Sequence, residues 1–181
     1  MHESRKVAAA LLVAVFSGPL TLCSVWVLAA AAERVGFVVL PDAARRYAGQ
    51  QGRENDFTEL LATREQTGGA LGMFRQTIAP KSGPPLHVHH GEDEFFYVVK
   101  GEFKLQIGDR ITSAPADSLM FVPKGTPHTF QSIGVEPGVI VVGVTPGGFE
   151  HRFAERQGVD AAKDRALMKK YKMEVVGPPI K

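Results

Sequence analysis

Between residues 71 and 144 the chain is cut into short apolar-rich segments by clusters of Gly, Pro and Asp, and this punctuation excludes most folds. Segments 71–78, 85–89, 94–99, 102–107, 118–122, 128–132 and 139–144 read as strands. Phe103, Leu105 and Ile107 alternate with Lys104 and Gln106, the period of a half-buried strand. No stretch between them is long enough for the crossover helix of a parallel sheet. The fold class is therefore all-β, a sandwich or jelly-roll barrel. Past Gly147 and Gly148 the pattern changes. Phe149 and Phe153, then Leu167 and Tyr171, recur at helical spacing, with Asp160 as a candidate N-cap, so one or two short C-terminal helices are expected.

The organisation read from these patterns is a leader over 1–32, an arm over 33–55, a barrel over 56–148, and a helical segment with a tail over 149–181. In the leader, Arg5 and Lys6 precede an uncharged stretch over 7–32 that ends in small residues, which reads as an export signal cleaved after Ala32. The stretch is longer than an ordinary signal core, so a membrane anchor over 7–32 is the alternative, although Gly18 and Pro19 interrupt it. Leu22 directly before Cys23 argues against a lipoprotein. Cys23 is the single cysteine, so after cleavage any metal would be held by nitrogen and oxygen alone. Twenty-one basic against 19 acidic residues, with no basic stripe interleaved with aromatics, exclude nucleic acid as an expected partner.

His87 and His89 lie two apart, so both imidazoles leave one face of a strand at adjacent positions. Glu94 stands at an odd offset from His89 and can rejoin that face only if the chain turns through His90, Gly91, Glu92 and Asp93. A new strand would then start at Glu94, with Phe96 and Val98 on its side and Gly101 at its end. Pro123, Gly125 and Pro127 set a rigid turn before His128, which can bring a further ligand from across the barrel. His90 reads as a rim residue, Glu92 and Asp93 as solvated turn carboxylates, His151 as a helix-surface residue, and Lys169, Lys170 and Lys172 as a solvated helix end. Met73, Phe96, Phe121 and Phe130 are core candidates, and those on the metal-bearing face would also line a substrate pocket. Phe149 is placed near the barrel edge, where it could cover the mouth.

These residues resemble the two motifs of the cupin superfamily. His87, His89, Glu94 and Gly101 match the first, and Pro123, Gly125 and His128 the second. TPGGFE at 145–150 and VVGPPI at 175–180 are similar to single-domain bacterial cupins that resemble quercetin dioxygenases. Asp117 and Ser132 depart from the second motif, where glycine and asparagine are usual, and Gly83 lies two residues closer to the first histidine than the usual glycine. The resemblance implies a jelly-roll β-barrel (a double-stranded β-helix) with one divalent transition metal held by His87, His89, Glu94 and His128. Fe, Mn, Ni, Co, Cu and Zn all suit such ligands. It further implies a homodimer, and a metal-dependent oxidoreductase of the dioxygenase type acting on a small aromatic or enol substrate, with Glu94 also serving as base. Two alternatives stay open: a non-catalytic extracytoplasmic module that binds a small molecule or metal, and a metal-assisted isomerase or lyase.

Overall fold

A computed structural model describes residues 35–49 and 56–180, so the leader lies outside the described residues. Strand β1 (Arg45–Ala48) comes from the arm and pairs with β2 (Phe57–Ala62), which pairs with β3 (Gly72–Ile78). The chain then alternates between two antiparallel sheets. β4 (Pro85–His89), β6 (Glu102–Ile107), β7 (Arg110–Pro115) and β9 (His128–Ser132) lie in one, and β5 (Asp93–Lys100), β8 (Leu119–Val122) and β10 (Gly138–Thr145) join β1, β2 and β3 in the other. After helices α1 (Arg152–Glu155) and α2 (Ala161–Lys170), strand β11 (Met173–Pro179) returns to the edge of the first sheet. The resulting orders are β1-β2-β3-β10-β5-β8 and β11-β4-β9-β6-β7. The fold is the expected jelly roll, but among the described residues its two sheets are not hydrogen-bonded into a closed barrel.

Burial follows strand parity. Phe74 on β3, Phe96 and Val98 on β5, Phe103 on β6, Val122 on β8, Phe130 on β9 and Ile140 and Val142 on β10 form the core between the sheets. Gly101 turns β5 into β6 with φ of 88°, a conformation that favours glycine. Asp117 holds φ of 69°, so it occupies the left-handed position that glycine fills in the related motif; aspartate tolerates it. Its Oδ1 also accepts the Tyr97 hydroxyl at 2.7 Å.

Four strands were not anticipated: β1, β2, β7 and β11. Within the arm, Arg45–Ala48 is a strand of one sheet, and the expected tail contains a strand whose Met173 and Val175 pair with His89 and His87. Asp160 does cap α2, accepting the Lys163 N–H at 2.8 Å.

Candidate metal centre

β4 places His87 and His89 on the inner face of one sheet, and β9, its neighbour, places His128 directly across from His87. β5 brings Glu94 from the opposite sheet. One donor atom from each of these four buried residues lies within 4.8 Å of all the others. The turn inferred between His89 and Glu94 is present, and it returns the carboxylate to the face of the histidines as the odd offset required.

Each imidazole is oriented by its outer nitrogen. His87 Nδ1 donates to the Pro85 carbonyl at 2.8 Å, and His128 Nδ1 to that of Thr126 at 2.9 Å. His89 Nδ1 donates to Glu92 Oε1 at 2.6 Å. Carbonyl and carboxylate oxygens only accept, so each Nδ1 carries a proton and each Nε2 is the nitrogen left to face the centre. The Nε2 of His128 lies 2.9 Å from Glu94 Oε2, and that of His89 lies 3.5 Å from the same oxygen. The buried His89 Nε2 has no hydrogen-bond partner. Three imidazole nitrogens and a carboxylate oxygen thus converge out of water, an arrangement that positive charge at their centre, from a proton or a cation, stabilises. This is the donor arrangement a divalent cation needs, and three imidazoles with one carboxylate suit a borderline transition metal.

Electrostatics distinguish the histidines. Burial, reinforced by neighbouring His128 and His89, pushes His87 down to about 3, so it stays neutral. Burial also opposes charge on His89, but the Glu94 carboxylate and the bond to Glu92 outweigh it and raise its pKa. For Glu94, burial pushes upward and the three histidines win, holding it below the usual carboxylate range.

A cavity of about 20 Å³ adjoins the donors, walled by the rings of Phe74, Phe96, Phe130, Phe149 and Phe153. Phe149 packs edge-on against His89, with ring centres 4.4 Å apart. Two of the expected pocket residues are elsewhere. Met73 points outward from β3, because its neighbours Gly72 and Phe74 take the inner face. Phe121 is 55% exposed between the buried Met120 and Val122, and faces a separate groove of about 450 Å³ with Leu105, Ile107 and Leu119. Glu92 also differs from expectation: it is buried against His89 rather than solvated. His90 is an exposed rim residue, 3.0 Å from Glu174. Asp93 accepts the Lys124 N–H, His151 pairs with Glu65, and Lys170 with Glu155.

A family model described as a cupin domain matches residues 74–144. The probable oxidoreductase virH of Hypocrea virens is 36% identical over 78 residues, which cover 41% of this chain. The matched stretch spans 36% of that relative's length. Among solved structures, KdgF from Halomonas sp. superposes with a TM-score of 0.54 at 14% identity, covering 63% of this chain and 96% of the other. An RmlC-like cupin from Shewanella frigidimarina gives a TM-score of 0.52 at 17% identity, covering 62% and 93%.

Proposed function

Because a cupin-domain model matches residues 74–144, we propose that this chain holds one divalent transition metal with His87, His89, Glu94 and His128 and acts as an oxidoreductase of the dioxygenase type on a small aromatic or enol substrate. The observation that carries this reading is the convergence of three buried imidazoles and the Glu94 carboxylate, with one donor atom of each within 4.8 Å of all the others. When bound, the metal would act as a Lewis acid towards a substrate hydroxyl and bring dioxygen and substrate together. The protein's part is to fix the imidazoles through Pro85, Glu92 and Thr126, to accept the hydroxyl proton on Glu94, and to exclude water with a wall of phenylalanines. A relative named as a probable oxidoreductase supports the same chemistry.

Oxygen uptake by protein loaded with each candidate metal, across flavonols, catechols and diketones, tests the proposal. Uptake that requires both metal and substrate supports it; no uptake anywhere in the panel removes it. A second reading, capture of the metal or a very small molecule without turnover, is favoured by the cavity's size, because about 20 Å³ holds one or two waters and no aromatic ring. Retention of ligand without product would select it. Product formed without oxygen would select isomerase or lyase chemistry.

Two further elements belong to the proposal. Residues 1–32 direct export, or anchor the chain over 7–32, and the mass of the protein recovered from an exporting host distinguishes these. The chain is a homodimer, which the exposed Leu119, Phe121, Val99 and Ile111 support and light scattering tests.

A further inference from the structure

The metal cavity has a neighbour of the same size. A second recess of about 20 Å³ is lined by Asp56, Ile78, Ser82 and Gly83, and shares Gln76, Pro84 and Phe130 with the first as a common wall. Asp56 and Gly83 are partly exposed, so this recess lies towards solvent. The members of the shared wall differ in how firmly they are held. The Pro84 carbonyl accepts the Thr129 hydroxyl at 2.7 Å, and Phe130 packs on Phe96 and Phe103 with ring centres 5.6 and 6.1 Å away. Gln76 is buried between the recesses, and its amide is tied by a neutral 3.2 Å hydrogen bond from Nε2 to Thr58 Oγ1.

The wall opposite is interlocked. Phe149 contacts His89, Phe153 and Tyr171, and Phe153 lies 4.7 Å from Phe74 between ring centres. Opening the chamber there would separate several buried rings, whereas displacing the Gln76 amide breaks a neutral hydrogen bond and leaves the aromatic packing in place. We propose that Gln76 is the gate of the metal chamber: small ligands enter from the Asp56–Gly83 recess past its amide, and Phe149 is a fixed wall. This rests on the reading that the four donors hold a metal. Gln76 thereby selects by size and charge which molecules reach it.

The test uses copper-loaded protein and azide, whose binding to cupric ion is followed by absorbance in a stopped flow. Gln76→Ala should raise the azide association rate several-fold with copper stoichiometry unchanged. Gln76→Glu, which keeps the size and adds a negative charge, should slow it, and decides the matter if the alanine variant fails to fold. Phe149→Leu, which thins the opposite wall beside His89, should accelerate it less than Gln76→Ala does. Acceleration by Phe149→Leu alone, or rates unaffected by either Gln76 change, would overturn the gate. A wild type that takes up no copper would instead remove the metal reading, and the gate with it.

Discussion

His89 Nδ1 and Glu92 Oε1 lie 2.6 Å apart with both residues buried, which makes His89 the one histidine of the centre backed by a carboxylate. A carboxylate behind an imidazole fixes its ring and raises the basicity of the opposite nitrogen. Glu92→Gln keeps an acceptor for the Nδ1 proton and removes the charge. Metal affinity, measured by competition with a chelator, should fall roughly 10–100-fold, the usual cost of losing such a partner. Glu92→Ala should fall further, and equal affinity in wild type and glutamine variant would refute the role.

Glu59 sits in a row across three strands. Arg46 on β1 reaches its Oε1 at 2.8 Å, and Arg75 on β3 reaches its Oε2 at 2.7 Å. Burial alone would push this carboxyl upward, but the hydrogen bonds from Arg46 and Arg75 outweigh it and lower its pKa. A depressed folded-state value means the stabilisation is present above the unfolded value, about 4.3, and is lost as pH falls through the folded one. Thermal melts should therefore show Glu59→Gln destabilised at neutral pH, with the gap to wild type closing in acid. A gap that stays constant would contradict this.

Within that row the two arginines are not equivalent. Arg46 is 61% exposed and Arg75 34%, so water screens the Arg46 pair more strongly. Chemical denaturation should find Arg75→Ala more destabilised than Arg46→Ala, and the reverse order would contradict the assignment.

Gly83 runs so close to β9 that a Cβ there would collide with the Phe130 carbonyl oxygen. Backbone cannot yield as a flexible side chain does. Gly83→Ala should cost about 1–3 kcal/mol or more in denaturant titrations, as overpacking does. Asp117→Gly should be tolerated, because that position already has a left-handed backbone, whereas a β-branched residue there should destabilise. A fully stable Gly83→Ala would show that the approach is looser than described.

The site ligands were legible because strand parity is a local rule: two residues apart means one face, and an odd offset demands a turn. The same rule placed Phe121 and Met73 outside, since their inward neighbours Met120, Val122 and Phe74 fix the register and a single-residue step reverses the face. Their apolar character concealed it. β11 was hidden by Gly177, Pro178 and Pro179, which read as a loop end; an edge strand tolerates proline because one side of it needs no partner. Glu92 is buried by its bond to His89, in a turn that the segment entering β11 also touches. There the His90 N–H donates to the Lys172 carbonyl at 2.9 Å, and a contact between residues so distant in sequence leaves no mark in the local pattern.

Metal content of the purified protein, by elemental analysis after exposure to first-row divalent ions, tests the central claim most directly. One equivalent per chain in the wild type, and none in His87→Ala and His128→Ala variants that remain folded, is the predicted result. An empty wild type, or variants that keep a full equivalent, would contradict it.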